Sequence, residues 1–296
     1  MTAPLAPAAQ RIAVLGDIGG HATVFRQALL GLGADPATLT LPPGLAVIQV
    51  GDVVRAGAGP GLDNDACVTL AADAADANPG RWVQLFGNHD LALLGGPTKP
   101  DWTTPPPASP VTVERLRRWW DRREAHLAIA LHCREHGDVL VTHAGLTRGR
   151  WLALGAPATA AEAATLINLD VGRPVHTVIT GGRLTGTDAG PDAAGADVAW
   201  AEVANELYQP WLAAGDLPFT QIHGHATPWN WPTGNWWPDT PADVREATTV
   251  DHAVRRTVTR LGRGGQEDRV AASVDWTLGN QPTTAGWPLL TLTPTT

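Results

Sequence analysis

Short apolar runs, rich in β-branched residues and punctuated by glycine, recur along the chain: "RIAVLGD" (11–17), "LAVIQVGD" (45–52), "RWVQLFGN" (81–88), "DVLVTHAG" (138–145) and "FTQIHGHA" (219–226). Each has the length of a buried strand. Segments of helical character, "HATVFRQALLGL" (21–32) and "NDACVTLAADAADA" (64–77), separate the first three. This β-α-β-α-β alternation predicts an α/β fold. A helical rhythm with charges on one side runs over 111–131, and a further helix over 199–215 ends near Gly215. Pro/Gly-rich stretches at 97–110, 181–197 and 227–242 read as surface loops, and 269–280 with 288–294 as a closing strand pair. The chain shows no internal repeat. Its polar strand ends are spread over most of its length, which favours one domain, 11–296, after a short flexible tail, 1–10.

Composition narrows the class. The chain has 296 residues, 44% hydrophobic and 17% charged, as in an ordinary globular protein. Its 21 basic and 29 acidic side chains leave a formal charge of −8. That argues against a nucleic-acid polymer or an anionic membrane as partner. The start, "MTAPLAPAAQ", has no basic segment followed by an apolar one, and no apolar run approaches the roughly 20 residues of a membrane span. A cytoplasmic location is the expectation. Cys67 and Cys133 are too few for a disulfide framework and not clustered as zinc ligands are, so both read as buried small hydrophobes.

The chemistry lies where the five strands end: Asp17, Asp52, Asn88, His143 and His225. Taken alone, Asp17 suits a ribose hydroxyl, a metal ion or a tight turn, and a lone "GD" after a strand is more often a turn. Ligands of open α/β sheets bind at the carboxyl ends of strands, so five separate segments can converge on one point. Two carboxylates, an amide oxygen and two imidazoles suit Mn, Fe or Zn better than Ca, which prefers oxygen alone. A dinucleotide-binding oxidoreductase is set aside, because "GDIGGH" (16–21) lacks the G-x-G-x-x-G turn.

The motifs "GD" (16–17), "GD" (51–52), "GNHD" (87–90), "THAG" (142–145) and "GHA" (224–226), in this order, resemble those of the calcineurin-like metallophosphoesterases. "FGNHDLALL" (86–94) and "VTHAGL" (141–146) resemble in particular the bacterial phosphoprotein-phosphatase branch, which includes the symmetric diadenosine tetraphosphate hydrolases. The resemblance covers about residues 11 to 294. It implies two packed mixed β-sheets flanked by helices, and a hydrolase that cleaves P–O bonds with two divalent ions. By that likeness Asp52 bridges the ions, Asp17 binds the first, and Asn88, His143 and His225 complete the second. The same likeness implies that His89 protonates the leaving oxygen. Two ions about 3.5–4 Å apart clamp a phosphate and acidify water, and a positioned acid assists a poor leaving group. The implied substrate is a phosphoprotein, a dinucleoside polyphosphate or a small phosphomonoester.

Two motifs depart from the family pattern. The family's first motif is Asp-x-His, and Gly19 stands where that histidine belongs. His21, two residues on, is either a replacement ligand or a helix-start residue; without it the first site is weak. In the second motif, usually GD-x-x-D-R-G, Arg55 and Ala56 occupy the Asp and Arg positions. Arg55 becomes the candidate phosphate-binding cation, with Arg148 and Arg150 as others, because a guanidinium fork matches phosphate. These losses keep a second reading open: a degenerate, non-catalytic protein that binds a metal or a nucleotide and regulates a partner.

Trp229, Trp231, Trp236 and Trp237 follow His225 closely, and either stack on a base or pack on the protein itself. His223, two residues before His225, is a further candidate for the surroundings of the site or for an extra ligand. His126, His132, His136, His176 and His252 carry no motif and receive no role.

Overall fold

The fold was obtained as a computed structural model, which describes residues 9–57, 59, 61–100, 106–182, 196–253, 255–262, 269–273 and 289–295. The strands are β1 (Arg11–Leu15), β2 (Leu45–Gln49), β3 (Trp82–Gln84), β4 (Ala128–Cys133), β5 (Gly137–Thr142), β6 (Thr220–His223), β7 (Trp229–Asn230), β8 (Asn235–Trp236), β9 (Thr248–Asp251), β10 (Arg256–Arg260), β11 (Val270–Ser273) and β12 (Leu289–Leu292). The helices that bear on the site are α1 (Ala22–Gly31), α2 (Asn64–Ala77), α3 (Asn88–Ala92) and α4 (Pro110–Asp121).

Two mixed sheets form, in the orders β12-β1-β2-β3 and β4-β5-β6-β11-β10-β9, with β7 and β8 as a small separate hairpin. This is the expected pair of packed sheets with helices outside. β1 shows how the layers arise. Ile12 and Val14 face the other sheet, in a cluster with Val139, Val141 and Ile222. Ala13 and Leu15 face the helices, in a cluster with Phe25 and Leu29 of α1. A strand buried on both faces must be apolar throughout, and this one is. Burying Phe25 and Leu29, one turn apart on α1, contributes about 1.5–3 kcal/mol each.

Register sets the site. β1, β2 and β3 run parallel, with Leu15 opposite Gln49 and Gln49 opposite Gln84. β5 and β6 are also parallel, with Thr142 opposite His223. The loops that follow therefore leave each sheet side by side, at the carboxyl ends of the strands.

The structure corrects three expectations. The run 111–131 is not one helix: α4 stops at Asp121, Arg123 turns left-handed (φ 58°), and Ala128–Cys133 pairs antiparallel with β5. The helix at 199–215 begins as a wider π turn at Val203–Tyr208 and becomes α-helical only at Gln209–Ala214. Pro210 has no N–H to give to an earlier carbonyl, and Gly215 ends the segment in a left-handed conformation (φ 68°). The two C-terminal strands do not pair with each other. β11 lies between β6 and β10, whereas β12 pairs with β1 in the other sheet. Residues 1–8 of the expected tail, and 101–105, 183–195, 274–280 and 288 of the expected loops and strands, lie outside the described residues. Among the described residues, no helix is long and apolar enough to cross a membrane.

Candidate metal centre

Asp17, Asp52, Asn88, His143 and His225 meet where the two sets of strand ends face each other. Asn88 Oδ1 lies 2.9 Å from both His143 Nε2 and His225 Nδ1. Asp52 Oδ2 is 3.5 Å from His143 Nε2. Asp52, His143 and His225 each place one ligand atom within 4.8 Å of the others, forming the metal-competent group among the described residues.

The hydrogen bonds around this group fix what its atoms offer. His143 Nδ1 donates to the Val50 carbonyl at 2.9 Å. Burial pushes this imidazole down to about 3, against the Val50 bond, so it is neutral at ordinary pH. Its Nε2 is then a lone pair, and that lone pair faces the Asn88 carbonyl oxygen and the Asp52 carboxylate. Acceptors crowded together in a dry site repel one another unless a cation lies among them. His225 adds its Nδ1, while its Nε2 is buried without a hydrogen-bond partner. The donor set, two carboxylates with an amide oxygen and two imidazoles, fits a divalent transition metal.

The carboxylates are aimed by backbone. Asp52 Oδ1 accepts the His89 N–H at 2.8 Å, and Asp17 Oδ1 accepts the His225 N–H at 3.0 Å. Each motif is thus tied to another. A Cβ on Gly87 would come 2.1 Å from Asp52 Oδ1, so only glycine lets "GNHD" approach "GD" this closely. Asp52 and His225 themselves adopt left-handed backbone conformations, φ 52° and 62°. Such strain costs of order 1 kcal/mol or more in a non-glycine residue and clusters at functional sites.

His89 sits beside the group, one-fifth exposed, with Nε2 3.7 Å from Asp52 Oδ2. Its Nδ1 accepts the Ala56 N–H at 2.9 Å. The ring hydrogen is therefore on Nε2, toward the metal-competent group. Burial first, then the charges of His143, Lys99 and Arg55, push His89 down to about 3. Burial, with His143, Lys99, His89 and His223, holds His225 well below the usual histidine range.

His21 is buried at the head of α1, its N–H bonded to the Ile18 carbonyl at 3.2 Å, and does not belong to the metal-competent group. Burial and then the Arg55 charge hold it below the usual histidine range. Arg55 is thus near both His21 and His89. Its backbone is clamped by Asn64, whose Oδ1 accepts the Arg55 N–H and whose Nδ2 donates to the Arg55 carbonyl, both at 3.0 Å. Arg148 pairs with Asp216 at 3.3 Å, and Arg150 with Asp170 at 2.8 Å. His223 Nε2 accepts from the Tyr208 hydroxyl at 2.7 Å, so it supports the end of β6 and is not drawn into the ligand group.

Two residues near the site carried little sequence signal. Asp90 accepts the Gly87 N–H at 3.0 Å and the Val54 N–H at 3.2 Å, stitching two motif loops together. Its signal was present as an acidic residue in the first turn of a helix. Asn64 lies outside every motif. Trp229, Trp231 and Trp236 pack on the protein, whereas Trp237 is exposed: Trp229 meets Trp236 edge-on at 5.0 Å, His252 lies against Trp229 and Trp231, and the Arg255 guanidinium sits 5.7 Å over Trp231.

The family model described as calcineurin-like phosphoesterase matches residues 10–262. No curated protein matches the chain. Among solved structures, a cold-active protein tyrosine phosphatase aligns with 14% identity over 76% of this chain and 68% of its own, at a TM-score of 0.44. A protein described provisionally as a diadenosine tetraphosphatase aligns with 17% identity over 91% and 84%, at 0.42. The cold-active protein tyrosine phosphatase of a psychrophilic Shewanella species aligns with 13% identity over 88% and 81%, at 0.45.

Proposed function

This chain belongs to the calcineurin-like phosphoesterase family, and from that membership we propose that it hydrolyses the P–O bond of a phosphorylated small molecule, a nucleotide or a phosphoprotein, with two divalent ions. The observation that carries this reading is the convergence of acceptors. A neutral His143 turns its Nε2 lone pair on the Asn88 oxygen at 2.9 Å and on the Asp52 carboxylate at 3.5 Å, an arrangement that needs a cation. Asp52, Asn88, His143 and His225 would hold one ion. Asp17, with Asp52, would hold the other more weakly. Bound there, divalent ions supply charge against the phosphoryl oxygens and acidify water for attack.

The chain's own residues divide the remaining work. His89, neutral and with its hydrogen held on Nε2 by the Ala56 N–H, offers that hydrogen as a hydrogen bond that steadies charge on the leaving oxygen. Arg55, anchored by Asn64, offsets charge on the transferred group. The backbone ties from His89 to Asp52 and from His225 to Asp17 keep the carboxylates oriented without any rearrangement during turnover.

A second reading is favoured by one observation. Gly19, at the position of the family's first-motif histidine, is left-handed (φ 56°) and brings no ligand. A protein with one ion would bind phosphoesters without turning them over. Elemental analysis, combined with assays of an aryl phosphate, a phosphoserine peptide and diadenosine tetraphosphate at several metals, separates the two. Metal-dependent hydrolysis of at least one of the three, read as phosphate or as ADP, is expected. Bound metal with no turnover of any of the three would select the non-catalytic reading.

A further inference from the structure

Just after β6 the backbone makes a tight turn centred on a metal-competent residue. The Ala226 N–H donates to the Gly224 carbonyl at 2.7 Å, spanning only His225, whose φ is 62°. A three-residue turn with positive φ at its centre is the rare and strained form. That conformation serves two groups of His225. Its Nδ1 comes to 2.9 Å from Asn88 Oδ1, and its N–H donates to Asp17 Oδ1 at 3.0 Å. One turn therefore aims a ligand of one ion and the carboxylate of the other. Gly224 permits the approach, since a Cβ there would meet Asp17 Oδ1 at 2.3 Å. Strain of this kind persists only where the surroundings over-determine it.

Two further bonds hold Gly224 in place. Its N–H donates to the His143 carbonyl at 2.8 Å, and its own carbonyl accepts a second hydrogen, from His223 Nδ1, at 2.9 Å. A carbonyl only accepts, so the His223 hydrogen sits on Nδ1 and Nε2 carries a lone pair. The Tyr208 hydroxyl donates to that lone pair at 2.7 Å, with the two rings edge-on at 5.6 Å. Both residues are buried. Along β6, Ile222 faces the other sheet, which turns His223 to the opposite face, where Tyr208 lies. Tyr208 closes the π turn Val203–Tyr208. The Leu207 N–H reaches back to the Glu202 carbonyl at 3.1 Å and widens that turn, a feature frequent at functional sites.

We propose that Tyr208 and His223 are positioning residues for the metal centre: through the Gly224 carbonyl they hold the strained turn that presents His225 Nδ1 to one ion and fixes Asp17 for the other. The proposal rests on the phosphoesterase reading for the ions, but the turn can be followed without them. A hydrogen bond from outside the turn lets His225 keep its conformation before a metal arrives. The centre is then preorganised, and a ligand with its outer partners intact binds more tightly than one left to find its own orientation.

The experiment uses the full chain, freed of metal, with cobalt(II) as probe. His223→Leu removes the Nδ1 donor, His223→Asn keeps a donor at that position, and Tyr208→Phe removes the hydroxyl alone. His223→Leu should weaken cobalt binding by roughly 10- to 100-fold, the scale for an outer partner of a ligand. The visible absorption of bound cobalt, which reports its coordination geometry, should shift as well. His223→Asn should recover most of the affinity. Tyr208→Phe should change affinity and spectrum in the same direction as His223→Leu, by less. Without metal, the His225 N–H should lose protection from hydrogen exchange in both His223→Leu and Tyr208→Phe, while the amides of β1 keep theirs. Cobalt affinity and spectrum unchanged in these two variants would overturn the proposal, whatever happens to Tm, and would assign the pair to folding alone. If His223→Leu fails to fold, Tyr208→Phe, which keeps the ring, decides by the same readouts. If the wild-type chain binds no divalent ion, the functional reading fails, while hydrogen exchange at His225 still decides whether the pair holds the turn.

Discussion

The Ala56 N–H donates to His89 Nδ1 at 2.9 Å, which places a backbone donor where the family pattern usually puts an aspartate acceptor. The polarity of that support is reversed. An aspartate would hold a hydrogen on Nδ1, whereas the amide requires a lone pair there and leaves the hydrogen on Nε2. His89→Ala should keep its metal and lose about 10²–10⁴-fold in rate, the usual scale for a positioned donor. The loss should be smaller for aryl phosphates, whose leaving groups need less help, than for alkyl phosphates. Equal losses on both, measured with metal content matched, would remove His89 from the leaving-group side.

Asn88 joins His143 and His225 at 2.9 Å from each, so it is the hub of the ligand set. Asn88→Ala or His225→Ala should lower metal affinity by at least about tenfold, since losing a ligand costs no less than losing an outer partner of one. Asn88→Asp should retain metal by exchanging an amide oxygen for a carboxylate. Equal metal content in wild-type and alanine variants, measured by elemental analysis, would refute the assignment.

Asn64 grips both backbone groups of Arg55 and also donates to the Pro107 carbonyl at 2.8 Å. Asn64→Ala should raise KM more than it lowers kcat, because it frees the loop carrying Arg55 and leaves His89 attached to Ala56. Stability should fall by about 1–3 kcal/mol, the cost of leaving buried polar groups unpaired. An unchanged KM together with that stability loss would assign Asn64 to folding alone.

These cases show why some of the site was readable in the chain and some was not. Asp52, Asn88, His143 and His225 sit at the ends of apolar runs, and parallel register brings such ends together whatever lies between. Asn64 reaches the site by a tertiary route, from a helix start, which no local pattern announces. The misread segments share one cause. Ala128–Cys133 is alanine-rich and follows a true helix without a glycine or proline, so its strand state is decided by pairing with Gly137–Thr142. β11 and β12 are consecutive strands in sequence, yet each finds its partner in a different sheet.

Asp197 offers a pH test away from the metal. Its Oδ1 accepts the Val198 N–H at 2.6 Å and lies 3.8 Å from Arg150 Nε. Burial, opposed by Arg150 and the Val198 bond, lifts its carboxyl from 3.8 to about 6. Between those values the folded chain holds a proton that the unfolded chain has released, so stability declines as pH rises through this window and stays lower above it. The effect amounts to at most about 3 kcal/mol. Asp197→Asn keeps an oxygen for Val198 and carries no charge. It should raise Tm at pH 8 relative to wild type, with the advantage vanishing near pH 4. An equal shift at both pH values would mean that the carboxylate's ionisation plays no part.

Gly19 decides the weaker half of the metal centre. Its N–H and that of Ile18 both donate to the Asp52 carbonyl, at 2.8 and 3.1 Å, and its φ of 56° lies in the left-handed region. The turn is therefore built to hold the first motif against the second, and it does so with a backbone that disfavours a side chain at this position. Gly19→His should cost about 1–2 kcal/mol in stability through that conformation, without tightening metal binding. His21 meets the head of α1 through its backbone, without a side-chain cap, and stands outside the metal-competent group, so His21→Ala should leave both binding steps in place. Titration of metal-free protein should then show two unequal steps, the tighter at Asp52, Asn88, His143 and His225, with turnover following the weaker, because in-line attack uses both ions. Loss of the weak step alone in His21→Ala would make His21 the replacement ligand. Two equally tight ions in wild-type protein would mean that Asp17 and Asp52 suffice without the histidine that Gly19 displaces.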